Sequence, residues 1–388
     1  MKLTQQETLP QAGRDAALAG RVWLPGVGPA VVRIDAGAVI DISTSFATMR
    51  DLCETPDPAT ALREASGAPI GKLQDILDAS ISARGDQAQL HLLAPVDLQA
   101  VKACGVTFVV SLIERVIEEQ ARGNPAAAVA IRQEILATIG SDLHGLRPGS
   151  EQAMALKALL IERKLWSQYL EVGIGPDAEV FTKAPVLSSV GHGAEAGLHP
   201  KSTWNNPEPE VVLIVSSAGA VVGAALGNDV NLRDVEGRSA LLLGKAKDNN
   251  ASCSIGPFIR FFDGGFSLDS VRRMTVTLRI EGPDGFRLDG RSDMAQIGRD
   301  PLDLVQQTIN ANHQYPDGFA LFLGTMFAPT QDRDKPGAGF THKVGDVVTI
   351  AAPELGALTN VMATSDKAAP WRFGIADLMR NLARRQLL

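Results

Sequence analysis

The sequence predicts an α+β protein with a small N-terminal domain, a helical middle part and a strand-rich C-terminal half. Three observations lead to this prediction. Strand-like runs broken by Gly-Pro and Ala-Gly turns open the chain, helical spacing dominates after residue 105, and hairpin patterns follow from about residue 180. The length of 388 residues suits one large domain and a smaller one.

The N-terminal part alternates between short strands and a helix. Residues 21–42, RVWLPGVGPAVVRIDAGAVIDI, predict strands separated by turns. KLQDILDASI, from Lys72, predicts a helix because its apolar residues recur every three or four positions. HLLAPVDL, from His91, is typical of a connecting segment. We therefore expect a small domain over residues 1–95 and a catalytic domain over residues 96–388.

Three helical stretches form the middle of the chain. They are TFVVSLIERVIEEQA (107–121), AAAVAIRQEILATIG (126–140) and EQAMALKALLIERKLWSQYL (151–170). Pro148 and Gly149 separate the last two, as expected where a helix stops. We expect a helical insert at about residues 120–175, which covers the site or forms a contact between subunits.

The C-terminal half predicts hairpins, further strands and a final helix. VVLIVSSAGAVVGAAL (211–226) is two apolar runs around a Ser-Ser-Ala-Gly turn, and MTVTLRIEGPDGFRLDG (274–290) alternates and turns at Pro-Asp-Gly. FALFLGTMFA and VGDVVTIAA predict strands. FGIADLMRNLARR (373–385) predicts an amphipathic helix.

Composition excludes several classes of partner and location. The net charge is −7 and no basic block is longer than ARR, so nucleic acid is not expected. No apolar run reaches about 18 residues, and the N-terminus lacks the apolar core of a secretory signal. The cysteines, Cys53, Cys104 and Cys253, form no CxxC pair, which indicates a reducing compartment. We expect a cytoplasmic protein without a membrane partner.

Two glutamates open the first apolar strand of the 211–226 hairpin. Glu208 and Glu210 point to the same face of a strand, where like charges repel. Taken alone, the pair suits a solvent-exposed strand start. However, the hairpin also brings Asp229 beside them, and three carboxylates form a hard-oxygen ligand set for Mg²⁺, with Mn²⁺ or Ca²⁺ as substitutes.

The ordered motifs ExE, NDVNLRD, KDNNASCSIGPF and FLGT resemble the fumarylacetoacetate hydrolase superfamily over most of the C-terminal half. Within it, NNPEPEVVL, GAALGNDVNLRDVEGRSALLL and HQYPDGFALFLGTMFAP resemble the bacterial 2-keto-3-deoxy-D-xylonate dehydratases over most of the chain. The resemblance implies a mixed-strand β-roll. It also implies Mg²⁺-dependent dehydration of a 2-keto-3-deoxy pentonate to 2,5-dioxopentanoate through a metal-stabilised enolate, and a homo-oligomer, dimer or tetramer.

The resemblance also assigns site residues. It implies Glu208, Glu210 and Asp229 as metal ligands and Lys247 as an active-site lysine, which the sequence alone would place on the surface. Arg233, Gly324 and Thr325 would bind the substrate, and Ser188 and Ser189 would lie near it. For Arg233, a structural partner role with Asp234 or Glu236 stays open, and for Gly324 and Thr325 a plain strand end stays open.

One departure from the superfamily pattern bears on the reaction. Its hydrolases carry a His and a Glu three residues apart on a short helix, where both side chains share one face. Here Glu114 is retained and Ser111 stands at the histidine position. Serine is a poor base without a partner, so we expect dehydration with Glu114 and Ser111 as catalytic residues. The alternative for Glu114 is an exposed helix charge. The alternatives for the protein are an acylpyruvate or fumarylacetoacetate-type hydrolase, a non-catalytic relative that binds metal or keto acids, and a decarboxylase or isomerase on the same scaffold. Glu236 stands where some hydrolases have glutamine.

Overall fold

A computed structural model describes residues 1–122, 124, 127–128, 131, 146–162, 166–336 and 339–388. The predicted helix at 126–140 therefore lies largely outside the described residues. Within the described residues, no helix is long and apolar enough to cross a membrane.

The N-terminal part contains the strands and the helix that the sequence predicts, together with short helices. Its elements are α1 (Gln5–Thr8), β1 (Leu18–Leu24), β2 (Gly28–Asp35), β3 (Ala38–Asp41), α2 (Met49–Cys53), α3 (Pro58–Glu64), β4 (Ala68–Lys72), α4 (Leu73–Ala83) and β5 (His91–Leu93). Capping sets the start of α2: the Thr48 hydroxyl accepts from the N–H of Asp51, whose carboxylate accepts in return from the N–H of Thr48.

The described elements of the middle part lead from strand to helices and back to strands. They are β6 (Ala100–Gly105), α5 (Val109–Gln120), α6 (Glu151–Glu162), α7 (Gln168–Ile174), β7 (Glu179–Ala184) and β8 (Glu195–Leu198). The apolar sides of α5 and α7 pack together around Leu112, Val116 and Leu170.

The C-terminal half begins with the predicted hairpin. Its elements are β9 (Pro209–Val215), β10 (Val221–Asp229), α8 (Arg233–Glu236), α9 (Leu243–Lys247), β11 (Cys253–Phe261), α10 (Leu268–Arg272), β12 (Thr275–Glu281), β13 (Arg287–Asp293), α11 (Pro301–Thr308), β14 (Phe319–Phe322), β15 (Val347–Ala352), β16 (Gly356–Thr364) and α12 (Ile375–Arg384). The predicted hairpins, strands and final helix are confirmed.

The described strands form two mixed sheets. The larger has the order β4-β3-β2-β1-β11-β10-β9-β14-β6-β7, with β5 also beside β1, and the smaller has the order β13-β12-β15-β16-β8. In the larger sheet β14 and β6 run parallel, and in the smaller β16 and β8 do so. The predicted α+β class with mixed strands is confirmed. Because β1 pairs with β11, the larger sheet continues across the predicted boundary at residue 95.

Strand β9 lies at the centre of the larger sheet and is buried on both faces. Val211 and Leu213 face the smaller sheet, where they pack with Leu278 and Ile350. Val212 and Ile214 belong to the opposite core, which includes side chains of α2 and α3. Burial on both faces explains the uninterrupted apolar run of β9, and it means that any charged group at this strand lies deep in the protein.

Candidate metal centre

The β9–β10 hairpin brings the two glutamates and the aspartate together. Glu210 pairs with Gly227 across the hairpin, and the N–H of Asp229 donates to the carbonyl of Glu208 at 3.1 Å. One carboxylate oxygen from each of Glu208, Glu210 and Asp229 lies within 4.8 Å of the other two. The prediction that Asp229 reaches the glutamates is confirmed.

The three carboxylates are buried, with 1% of each residue exposed. The alternative interpretation, an exposed strand start, is therefore wrong. Three buried charges of one sign at this separation repel each other and lose hydration, which requires compensating positive charge. Their oxygens are the donors that Mg²⁺ and related hard cations prefer, so the residues present fit such an ion.

Two lysines contact the candidate ligands: Lys247 binds Glu208 and Asp229, and Lys183 binds Asp229. Lys247 Nζ donates to Glu208 and, at 3.2 Å, to Oδ2 of Asp229. Lys183 Nζ lies 2.7 Å from Oδ1 of Asp229 and also donates to the carbonyl of Lys247. Both lysines are buried, so the alternative of a surface Lys247 is wrong. Burial alone would lower the pKa of Lys247, but Asp229 and Glu208 raise it, which keeps the ammonium charged.

Glu210 is held by the chain after β14. The N–H of Gly324 donates to Oε2 of Glu210 at 2.7 Å, and the Thr325 hydroxyl donates to Oε1 at 3.3 Å. Gly324 has φ +102°, and a Cβ there would overlap the Thr107 hydroxyl, so glycine is required. Gly324 and Thr325 thus support a candidate ligand, and their contact with substrate stays a prediction.

Helix α5 presents a polar face to the three carboxylates. Residues 111, 114, 115 and 118 share one side by helical spacing. Arg115 on this side donates to Glu208 and also contacts Glu118 at 2.5 Å and Glu236 at 3.0 Å. Arg115 therefore connects the helix directly to a candidate metal ligand.

Arg233 makes the second connection to α5. Its Nη2 lies 3.0 Å from Glu114, its Nε lies 2.5 Å from Glu118, and its guanidinium carbon lies 4.8 Å from the centre of the Trp204 ring. Glu114 is 6% exposed, so the alternative of an exposed helix charge is wrong. The alternative partners of Arg233, Asp234 or Glu236, are also wrong, and its contact with substrate stays a prediction.

The buried charges around this centre do not balance. The carboxylates are Glu114, Glu118, Glu208, Glu210, Asp229 and Glu236, and the cationic groups are Arg115, Lys183, Arg233 and Lys247. Among the described residues, this set has two more carboxylates than cationic groups, an excess that one divalent cation would offset. Burial, Asp229 and Glu208 raise the pKa of Glu210 well above its ordinary value, whereas Lys247 and Arg115 outweigh burial and lower the pKa of Glu208 to about 2.

The predicted serines bond to nearby groups of the protein. The Ser111 hydroxyl donates to the carbonyl of Phe108 at 2.8 Å, and that of Ser188 donates to the carbonyl of Pro185 at 2.7 Å. The Ser189 hydroxyl lies 3.3 Å from Sγ of Cys253, which pairs with Asp229 across β10 and β11. Ser189 is thus one strand away from a candidate ligand, and the catalytic and binding roles of these serines stay predictions.

Sequence reasoning missed Arg115, Glu118 and Lys183 at this centre. The spacing of Ser111, Glu114, Arg115 and Glu118 could have indicated a polar face on α5. Lys183 had no comparable signal, because the pairing of β7 with β6 joins positions about 80 residues apart.

No family model matches the sequence, but two curated proteins are similar to it. A 2-dehydro-3-deoxy-D-arabinonate dehydratase of Saccharolobus solfataricus is 30% identical over 180 residues, which are 46% of this chain and 57% of that protein. The chain thus matches little more than half the length of that relative. A Haloferax volcanii protein named a probable 2-keto-3-deoxyxylonate dehydratase is 24% identical over 327 residues, 84% of this chain and 92% of that protein.

Solved structures show the same fold. A 2-keto-3-deoxy-D-arabinonate dehydratase complexed with magnesium and 2,5-dioxopentanoate has a TM-score of 0.59 at 20% identity, covering 89% of this chain and 99% of that one. A fumarylacetoacetate hydrolase from Exiguobacterium antarcticum has a TM-score of 0.52 at 14% identity, covering 90% of this chain and 100% of that one. The chain thus shares the fold of these proteins, and the two curated proteins similar to its sequence are named as dehydratases of 2-keto-3-deoxy pentonates, one of them as probable.

Proposed function

We propose that the protein is a hydro-lyase that dehydrates a 2-keto-3-deoxy-D-pentonate to 2,5-dioxopentanoate with Mg²⁺ as cofactor. The observation that carries the proposal is the buried set of Glu208, Glu210 and Asp229, whose oxygens suit a divalent cation, in a chain similar to such dehydratases. A cation held by these carboxylates would polarise the C2 ketone of the substrate and acidify its C3 protons.

The side chains around the carboxylates suit the remaining steps. Lys247, charged and anchored by Glu208 and Asp229, would donate a hydrogen bond to the C2 oxygen as negative charge develops there. Glu114, which is ion-paired with Arg233, would take a C3 proton. Loss of the C4 hydroxyl as water and tautomerisation then give the aldehyde. Ser111 in place of a histidine disfavours water activation, the step that a C–C hydrolase needs.

Proton NMR of the purified protein with 2-keto-3-deoxy-D-pentonate tests the proposal. We expect the aldehyde signal of 2,5-dioxopentanoate to appear with Mg²⁺, and to be absent after chelation by EDTA and in the Asp229→Asn variant. Cleavage of an acylpyruvate without any dehydration of the pentonate would contradict the proposal and would establish the hydrolase instead.

A further inference from the structure

Glu179 is a carboxylate near the metal centre to which the mechanism above gives no role. Within the described part of the chain, no hydrogen bond or ion pair holds its side chain. Glu179 begins β7, where alternation puts it on the same face as Phe181. Lys247 Nζ lies 5.9 Å from the centre of the Phe181 ring. The side chain of Glu179 is therefore on the face of β7 that is turned toward Lys247.

A glycine on the neighbouring strand leaves space for the carboxyl group of Glu179. Gly105 at the end of β6 pairs with Glu179. A Cβ on Gly105 would overlap Oε2 of Glu179 and lie 2.6 Å from its Cδ. The carboxyl group thus rests directly against the Gly105 backbone, in space that only glycine leaves open.

The charges around Glu179 are those of the metal centre and of its surroundings. Glu179 interacts electrostatically with six groups, which are Arg115, Glu208, Glu236, Lys247, Tyr169 and Cys104. Burial, followed by the charge of Glu236, raises the pKa of Glu179 to about 7, although Lys247 and Arg115 oppose this shift. Glu114, in contrast, has the guanidinium of Arg233 at 3.0 Å.

An open cleft is lined by two residues that interact electrostatically with Glu179. It has a volume of about 570 Å³ and is lined by Tyr169 and Glu236 together with Arg122 and Arg238. Tyr169 and Glu236 are also the cleft residues whose charges interact with Glu179. Glu236 also contacts Arg115, which binds Glu208, so the cleft borders the buried charge network of the metal centre.

We propose that Glu179 is the general acid that protonates the departing C4 hydroxyl, while Glu114 is the base that takes the C3 proton. This assignment rests on the dehydration proposed above. The C3–H bond breaks and its proton goes to Glu114. The electron pair is first delocalised onto the C2 oxygen as an enolate and then forms the C3–C4 double bond as the C4–O bond breaks, while the proton of Glu179 leaves with the oxygen as water. Transfer of the proton from Glu114 to Glu179 through solvent restores both groups. The two carboxylates thus have opposite roles because one is ion-paired and the other is not.

The Glu179→Gln and Glu114→Gln variants separate the two steps in D₂O. With Mg²⁺, Glu179→Gln should still exchange the C3 protons of the substrate for deuterium, whereas aldehyde formation falls about 10²- to 10⁴-fold, the range typical of general acid catalysis. Glu114→Gln should lose both the exchange of the C3 protons and the formation of the aldehyde. The matched control is Glu171→Gln, on an exposed carboxylate paired with Lys157, which should match the wild type in both readouts.

A pH profile provides a second readout that a structural role would not change. The rate of the wild type should fall as pH rises above about 7, because the acid is then deprotonated, and the fall should be absent from the residual rate of Glu179→Gln. Two results would overturn the assignment if the wild type dehydrates the substrate. One is an unchanged rate of aldehyde formation in folded Glu179→Gln. The other is loss of C3 proton exchange in that variant. Absence of both reactions in the wild type would instead overturn the proposed function.

Discussion

Among single residues, Arg115 links the largest number of buried carboxylates in the described part of the centre. It contacts Glu118, Glu208 and Glu236 from one guanidinium group. Lysine would not replace it, because an ammonium lacks the planar set of donors that reaches three partners. Burial would lower the pKa of Arg115, but Glu118 and Glu236 raise it, so the group stays charged.

The Arg115→Met variant should therefore be strongly destabilised. Three buried carboxylates lose their shared cation, and breaking such a buried pair costs about 3–5 kcal/mol in the free energy of unfolding. Urea unfolding of the cation-free protein measures this loss. The control is Arg287→Met, where a fully exposed pair with Asp289 contributes little to stability because it is screened by solvent. Equal losses in the two variants would contradict the role assigned to Arg115.

Also at the residue scale, the raised pKa of Glu210 predicts that cation binding releases protons. The pKa of Glu210 is raised in the cation-free protein, and a ligand carboxylate must be ionised. Mg²⁺ affinity should thus increase as pH rises above the ordinary carboxyl value of about 4.3. Calorimetry in two buffers of different ionisation enthalpy measures the released protons. Binding with a pH-independent affinity and no proton release would show that Glu210 is not a ligand.

At the scale of elements, the β9–β10 hairpin and helix α5 meet at Glu208. The hairpin contributes the candidate ligands, and α5 contributes Glu114, Arg115 and Glu118 to the same buried centre. The strand pair β6–β7 closes another side, with Lys183 on Asp229 and Glu179 against Gly105.

The Gly105→Ala variant tests the β6–β7 side. The new methyl group would overlap Oε2 of Glu179 and displace the carboxyl group. We expect dehydration to slow about as much as in Glu179→Gln, with Mg²⁺ affinity close to that of the wild type. Steady-state kinetics and calorimetry measure the two effects. The control is Gly285→Ala in the turn between β12 and β13, where a Cβ meets nothing within 4 Å but φ is +82°, so stability falls while activity does not. A fully active Gly105→Ala would contradict the placement of Glu179.

The hairpin explains why part of the centre could be predicted from sequence. Glu208, Glu210 and Asp229 lie within 22 positions, and turn chemistry with alternation determines their approach. Burial of these carboxylates was not predictable, because both faces of β9 are covered by segments distant in sequence. Lys183 and Glu179 reach the centre through pairing of β7 with β6, which no local pattern indicates.

For the whole molecule, the charge of the centre makes one contribution to the pH dependence of stability. Glu179 has a pKa raised to about 7, so its contribution in the cation-free protein is lost as pH rises from about 4.3 to about 7. The pKa of Glu210 is also raised, so its contribution likewise decreases as pH rises. Glu208 has a lowered pKa, so its contribution is present above about 4.3 and lost as pH falls toward about 2. The buried histidines His91, His192 and His342 have lowered pKa values and act in the opposite direction up to about pH 6.5. The test is therefore the difference in thermal unfolding between the protein with saturating Mg²⁺ and without it, which should grow as pH rises from 4 to 8. A stabilisation by Mg²⁺ that does not change with pH would contradict this account. The homo-oligomer and the domain boundary at residue 95 stay predictions at this scale.

The central claim is that the buried carboxylates of Glu208, Glu210 and Asp229 bind one divalent cation. Isothermal titration of EDTA-treated protein with Mg²⁺, beside the Asp229→Asn variant, tests it most directly. We predict one site per chain in the wild type, and for Asp229→Asn an affinity lowered by at least about 10- to 100-fold, the effect of changing even the partner of a ligand. No binding to the wild type, or equal binding to a folded Asp229→Asn variant, would contradict the claim.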